Sequence, residues 1–154
     1  MNGYILNVKL TGCSHKISRT IIVPETFSFT QLAYDLRKIF DLTLFNPSLF
    51  KFPGINTPIW DKNDHIIIKD FLDLFKKFTW VYYNKSLTFD DKVKKTSKAN
   101  HFTVVKSFEC EYNLLDYRSA YEFDNILYEI EAGERDLEDI TRFNIDEVND
   151  NFKN

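Results

Sequence analysis

The chain has 154 residues, of which 44% are hydrophobic and 28% charged, and its formal net charge is -3. This composition is typical of a globular protein and excludes a disordered one, and the length predicts a single domain over 1–154. No run reaches the roughly 18 apolar residues that cross a bilayer, and the N-terminus lacks a signal-peptide pattern, so we expect a cytoplasmic protein that does not bind membranes.

The first forty residues predict a β-hairpin followed by a helix. Residues 4–10 alternate apolar and polar side chains, and residues 17–23 are rich in β-branched side chains. Ser28 and Gln31 form a capping box, and apolar residues at helical spacing follow it over 28–40. The order strand, strand, helix predicts an α+β fold with a β-grasp-like start, in which the helix packs on a mixed or antiparallel sheet.

The middle of the chain predicts further strands, a short helix and a polar loop. In the last of these strands, alternation places Val104 and Phe108 on one face and Thr103 on the other. The strands are predicted near 49–52, 58–60, 78–83 and 101–112, with a weak return strand after 84, the helix at 69–76 and the loop at 92–100.

The end of the chain predicts helices. Apolar residues from Phe123 to Ile130 have helical spacing, and Gly133 suits the end of that helix because glycine tolerates positive φ. A further short helix is expected within 134–142. Asn144 and Glu147 form a second capping box, so the C-terminus is predicted to be helical and acidic.

Phrases at both ends of the chain resemble those of a known family. Residues 4–12 read YILNVKLTG, residues 17–24 continue the pattern, and the helix opens with SFTQL at 28–32. Near the C-terminus, residues 142–149 read RFNIDEVN. Together these phrases resemble the plasmid pRiA4b ORF-3-like domain, also described as a transposable-element passenger protein. The resemblance implies an α+β fold and an accessory protein of a plasmid, phage or other mobile element.

The chain departs from that family pattern at two places. Residues 17–20 read ISRT, where family members carry a tryptophan after the isoleucine. The family's hairpin should fall at 82–93, where this chain lacks the glycine and the aligned tryptophan. The resemblance therefore transfers no site at this hairpin and no activity.

The sequence lacks the motifs of several kinds of catalytic, nucleotide-binding or metal-binding site. The four glycines are too far apart for a phosphate-binding loop or a dinucleotide fingerprint. The histidines and cysteines have no zinc spacing, so we expect neither a metal nor a cofactor. Residues 13–15 read Cys-Ser-His, but neighbouring turn residues seldom orient an imidazole to take a thiol proton, which favours a simple polar turn.

A binding surface is predicted where aromatic side chains neighbour lysines. Aromatic anchors supply much of the contact energy of protein interfaces, and clustered lysines attract acidic partners. The sequence therefore predicts a non-catalytic interaction module with a protein partner. The candidate surface residues are Trp60, Trp80, Tyr82, Lys92, Lys94 and Lys95.

Two alternatives remain open on the sequence alone. Asp90 and Asp91 could serve an enzyme of unfamiliar type as a base or as ligands of a divalent ion, if their side chains converge. The lysines of 92–98 could bind nucleic acid weakly, although the net charge of -3 does not favour this reading.

Overall fold

The computed structural model describes residues 1–44, 46–83, 87–114, 119–135 and 140–153. Within these residues, seven strands form one antiparallel sheet accompanied by four helices, which confirms the predicted α+β class. The strands are β1 (Gly3–Leu10), β2 (Ser18–Pro24), β3 (Ser48–Lys51), β4 (Ile59–Trp60), β5 (Lys77–Tyr82), β6 (Leu87–Thr96) and β7 (Val104–Glu109), and the helices are α1 (Phe29–Phe40), α2 (Lys69–Leu72), α3 (Ala120–Glu131) and α4 (Ile145–Lys153). The predicted helix within 134–142 falls partly on residues 136–139, which lie outside the described residues.

The sheet has the order β4-β3-β5-β6-β1-β2-β7, so β6 is its central strand and the opening hairpin lies between β6 and β7. β1 and β2 pair with Leu6 opposite Ile21, as the hairpin prediction requires. At the start of α1, the Ser28 hydroxyl accepts a hydrogen bond from the Gln31 backbone N–H at 3.1 Å. This side-chain cap satisfies one of the amides that a helix leaves unpaired in its first turn.

The core lies between α1 and one face of the sheet, which we call the inner face. Phe40 of α1 packs on Phe89 of β6 with ring centroids 4.6 Å apart, and Phe29 packs on Phe50 of β3 at 5.0 Å. Such tilted aromatic pairs contribute roughly 0.5–1.5 kcal/mol each beyond the burial of their apolar area. The opposite face of the sheet, the outer face, carries the alternate residues of each strand.

β6 is longer and more central than its sequence indicates. The prediction of a weak return strand and a polar loop at 92–100 is wrong up to Thr96, because β6 continues for ten residues. It pairs with β5 on one side and with β1 on the other, and Thr96 lies opposite Gly3. Pairing with β5 as far as Lys92, and with β1 as far as Thr96, therefore keeps a lysine-rich segment extended against its weak strand propensity.

The face assignment predicted for β7 is also wrong. The pairing of β2 with β7 shifts register between Thr20 and Ile21. As a result Val104 lies opposite Ile22 on the outer face, whereas Phe108 lies opposite Arg19 and packs against Phe143 at 5.0 Å. A bulge adds one residue to one strand, which reverses the faces of the side chains beyond it.

A buried ion pair ties the last turn of α1 to the β3–β4 edge. The Arg37 guanidinium contacts the Asp61 carboxylate, and the exposed fractions of the two side chains are 6% and 11%. Asp61 also accepts hydrogen bonds from the Ser48 backbone N–H at 2.9 Å and from the Ser48 hydroxyl at 3.0 Å. The carboxylate thus balances a guanidinium that burial separates from water.

We predict that Asp61→Ala lowers the free energy of unfolding by about 3–5 kcal/mol, because it leaves a buried charge without its partner. Urea denaturation measures this loss. Asp64→Ala is the matched control, since the Asp64 side chain is 70% exposed in the neighbouring loop. The control should change stability by no more than about 0.5 kcal/mol, and equal losses in both variants would contradict the assignment.

Candidate functional site

Two of the aromatic residues predicted to contact a partner lie in the core instead. Trp80 and Tyr82 point to the inner face of β5 and are fully buried. Trp80 packs on Phe89 at 4.9 Å, and the Tyr82 hydroxyl donates to the Thr43 carbonyl at 2.9 Å. Their inclusion in the binding surface is therefore wrong, because the alternation of a central strand directs them toward α1.

The three predicted lysines divide between the two faces of the sheet. Lys92 and Lys94 are exposed on the outer face, whereas Lys95 points the other way, beside Tyr4. The Lys95 ammonium lies 3.6 Å from the carboxylate of Asp73. That carboxylate accepts from the Tyr4 hydroxyl at 2.6 Å, a bond which, with the nearby lysines, lowers the pKa of Asp73 to about 2. Lys95 therefore belongs to a separate, charge-balanced cluster.

The outer face brings together five exposed lysines from four strands. Lys77 of β5 lies directly opposite Lys92 of β6, so two like charges face each other across one strand pair. Such a pair is destabilising unless an opposite charge compensates it. Within the described residues, none of the five lysines has a carboxylate within ion-pair distance. We call these residues the lysine face: Lys9, Lys51, Lys77, Lys92 and Lys94.

A groove of about 400 Å³ opens within the lysine face. Lys51, Lys77 and Lys92 line it, together with Thr79 and Asp90. Register explains this convergence, because β3, β5 and β6 are neighbours and Lys51 lies opposite Thr79, which in turn lies opposite Asp90. Three lysines therefore line one shallow depression, together with the exposed Asp90 and the buried Asp91.

One corner of the outer face is apolar. Trp60 of the edge strand β4 is 50% exposed, and it lies opposite Leu49 of β3. Leu49 is half-buried and lies opposite Val81 of β5, which is buried, so Trp60 and Leu49 form the accessible apolar patch beside the lysine face. Trp60 is thus the predicted aromatic anchor that the structure leaves accessible.

Asp90 and Asp91 do not form a joint site. Asp90 is exposed on the outer face, whereas Asp91 is 1% exposed on the inner face between Val8 and Phe78. Neither carboxylate oxygen of Asp91 has a hydrogen-bond partner among the described residues. Burial, followed by repulsion from Asp90, raises the pKa of Asp91 well above its usual range. The hypothesis of two converging carboxylates is therefore wrong in its geometry.

The Cys-Ser-His turn docks α3 onto the hairpin. Asp124 of α3 bonds to the Ser14 hydroxyl at 2.8 Å and to His15 Nδ1 at 2.5 Å. The other ring nitrogen, Nε2, bonds to Glu131 at 2.7 Å, so the imidazole is not placed to take a thiol proton. The Cys13 thiol donates to the Ala120 carbonyl at 3.1 Å, and burial raises the pKa of Cys13 to about 12. This geometry agrees with a polar turn rather than a nucleophile.

The described residues contain no group of three or more histidine, cysteine, aspartate or glutamate side chains that could hold a metal ion. No helix in the same part of the chain is both long and apolar enough to span a bilayer.

The surface predicted from the sequence did not include three members of the lysine face, Lys9, Lys51 and Lys77. Each lies on the polar side of its strand, but only the register between distant strands brings the three together.

Comparison with known proteins shows the fold. No family model and no curated protein matches this chain. A similar solved structure is that of a protein of unknown function, MM3350, from Methanosarcina mazei Go1, with a TM-score of 0.68 and 14% sequence identity. The match covers 90% of this chain and 86% of the other. At this identity the two proteins share an architecture, and the comparison assigns no ligand.

We predict that Asp91→Asn reduces the loss of stability as pH rises. The unfolded chain releases the Asp91 proton near its ordinary pKa of about 3.9, whereas the folded chain holds it, because burial raises the pKa of Asp91. Stability therefore falls with increasing pH above about 4. The asparagine has no proton to release, so the variant should exceed the parent by about 1 kcal/mol or more at pH 8 and by much less at pH 4.

Chemical denaturation at both pH values measures this difference. Asp90→Asn is the matched control, because it makes the same change on the exposed side of the same strand. An equal response of the two variants would show that Asp91 does not carry the effect.

Proposed function

We propose that this protein is a non-catalytic binding module that recognises an acidic protein surface with the lysine face and Trp60. The observation that carries the proposal is the position of Lys77 opposite Lys92 on an exposed sheet face, with Lys51 beside them. These like charges oppose folding, and an acidic partner would compensate them. The chain as a whole carries a formal net charge of -3, so the positive charge is local.

A protein partner fits the face better than a nucleic acid. Single strands bind where aromatic side chains stack on bases among cations, and the burial of Trp80 and Tyr82 removes the expected platform. All five cations of the face are lysines, whereas arginine is favoured for forked contacts with phosphate. The apolar patch of Trp60 and Leu49 resembles the anchor of a protein interface.

An enzymatic function has less support. Acid-base chemistry with two carboxylates requires both to reach one substrate, and Asp90 and Asp91 point to opposite faces of β6.

We also propose a cytoplasmic accessory role in a plasmid, phage or other mobile element. That part of the proposal depends on the family resemblance of residues 4–32 and 142–149.

We predict that Lys77→Glu/Lys92→Glu weakens binding of an acidic peptide by at least about tenfold, which corresponds to 1.4 kcal/mol. The probe is a synthetic peptide in which glutamate alternates with leucine. It is titrated into isotope-labelled protein, and amide chemical shifts report both the affinity and the face that binds. In the parent protein, we expect the perturbed amides to lie in β5 and β6, and the affinity to fall as salt screens the charges.

Lys16→Glu/Lys153→Glu is the control, because it makes the same change in net charge at exposed positions outside the strands that carry the lysine face and Trp60. Equal weakening by the two double variants would reject a specific surface. A parallel titration with oligothymidine tests the nucleic-acid alternative. Tighter binding of oligothymidine than of the peptide, at the same salt concentration, would replace the proposal with that alternative.

A further inference from the structure

The exposed side of α4 carries carboxylates. Asn149 holds this helix on β7, since it accepts a hydrogen bond from the Val105 backbone N–H at 2.7 Å and donates one to the Val105 carbonyl at 2.9 Å. The half-buried residues of α4 recur at helical spacing on this side of the helix, namely Ile145, Val148, Asn149 and Phe152. The opposite side is exposed, and its acidic residues are Asp146, Glu147 and Asp150.

These carboxylates repel one another. Asp146 and Asp150 are four residues apart, which brings their Cβ atoms within about 5–6 Å on the helix surface. Like charges at this spacing destabilise a helix, and Asp150, in the last turn, also opposes the helix dipole. Within the described residues, none of the three carboxylates of α4 has a cationic side chain within ion-pair distance. Their negative charge is therefore left uncompensated in this part of the chain.

The lysine face of the same copy does not meet these carboxylates. α4 lies against β7, whereas Lys77 and Lys92 belong to β5 and β6. β1 and β2 separate β6 from β7, so the two strands lie about 14 Å apart at about 4.8 Å per strand. α4 also lines a groove of about 440 Å³ with α1, which covers the inner face, whereas the lysines point outward. The two charged surfaces thus lie on different sides of the sheet.

We propose that the lysine face of one copy binds the carboxylates of α4 in a second copy. This inference rests on the proposed function, because it names the acidic surface that the lysine face recognises. Each surface repels itself within its own chain, and the contact between copies would relieve both repulsions.

The spacing of the charges favours this partner. Lys77 lies directly opposite Lys92, and side chains so placed have Cβ atoms about 4.5–5.5 Å apart. This distance is close to the one between Asp146 and Asp150, so each ammonium group can meet one carboxylate. The contact joins different surfaces of the two copies, so a dimer retains one free surface of each kind and can add further copies.

An exchange of charge between the two surfaces tests the proposal. Lys77→Glu/Lys92→Glu is the first variant, and Asp146→Lys/Asp150→Lys is the second. Each variant alone gives both of its surfaces the same sign, so self-association at low salt should weaken at least about tenfold in sedimentation velocity. An equimolar mixture should associate again, because the new glutamates meet the new lysines and the two unchanged surfaces also match.

Asp70→Lys/Glu134→Lys is the control for the second variant. It makes the same change in net charge at exposed positions outside α4, and Asp70, like Asp146, lies in the first turn of a helix. Equal weakening by this control, or a mixture that stays monomeric, would overturn the proposal. Circular dichroism checks folding. Should the second variant not fold, Asp150→Lys alone replaces it, since a cation in the last turn favours the helix dipole.

Two outcomes separate this inference from the proposed function. A parent protein that binds the glutamate-leucine peptide but stays monomeric at about 1 mM, where weak complexes form, would overturn the second copy as partner and leave an acidic partner in place. A parent that associates, and whose two variants associate only when mixed, would support the second copy even if the peptide does not bind.

Discussion

The pairing of β6 on both sides is the constraint on which the rest of the structure depends. Residues 89–96 of β6 are in register with β1 and residues 87–92 are in register with β5. Strict alternation then decides which side chains face α1 and which face outward. Phe89 lies on the face of β6 that packs in the core, and Lys92 and Lys94 lie on the opposite face. Because one register sets both faces, neither assignment can change without the other. The aromatic core and the lysine face are thus two consequences of one register.

Two unfavourable features meet within three residues of that strand. Asp91 is a buried carboxyl without a hydrogen-bond partner in the described part of the chain, and Lys92 beside it faces Lys77. A shift of β6 by one residue would expose Asp91, but it would also bury Lys92 and Lys94 and expel Phe89 from the core. The sheet tolerates the local costs because the aromatic core depends on the same register. Conflicts of this kind concentrate at functional sites, which supports recognition by this segment.

Sequence patterns predicted most helices and strands, but they predicted less well which strands are neighbours and which side chains are buried. The hairpin, the capped helix α1 and the capped helix α4 follow from local periodicity and capping, which a single segment contains. The burial of Trp80 and the length of β6 depend on strands distant in sequence, and local propensity does not report them. The same limit explains the missed lysines, since Lys51 joins Lys92 through the intervening strand β5.

The two edges of the sheet are closed to strand pairing, whereas its outer face is exposed. β4 ends the sheet with two residues, and Asn149 closes the longer edge at β7, so in the folded chain backbone pairing is restricted at both ends. The outer face, in contrast, exposes five lysines, none of which has a carboxylate within ion-pair distance among the described residues. Protected edges reduce indiscriminate association through backbone hydrogen bonds. Under the proposed function, recognition therefore depends on side chains, and charge pattern, rather than an exposed strand, selects the partner.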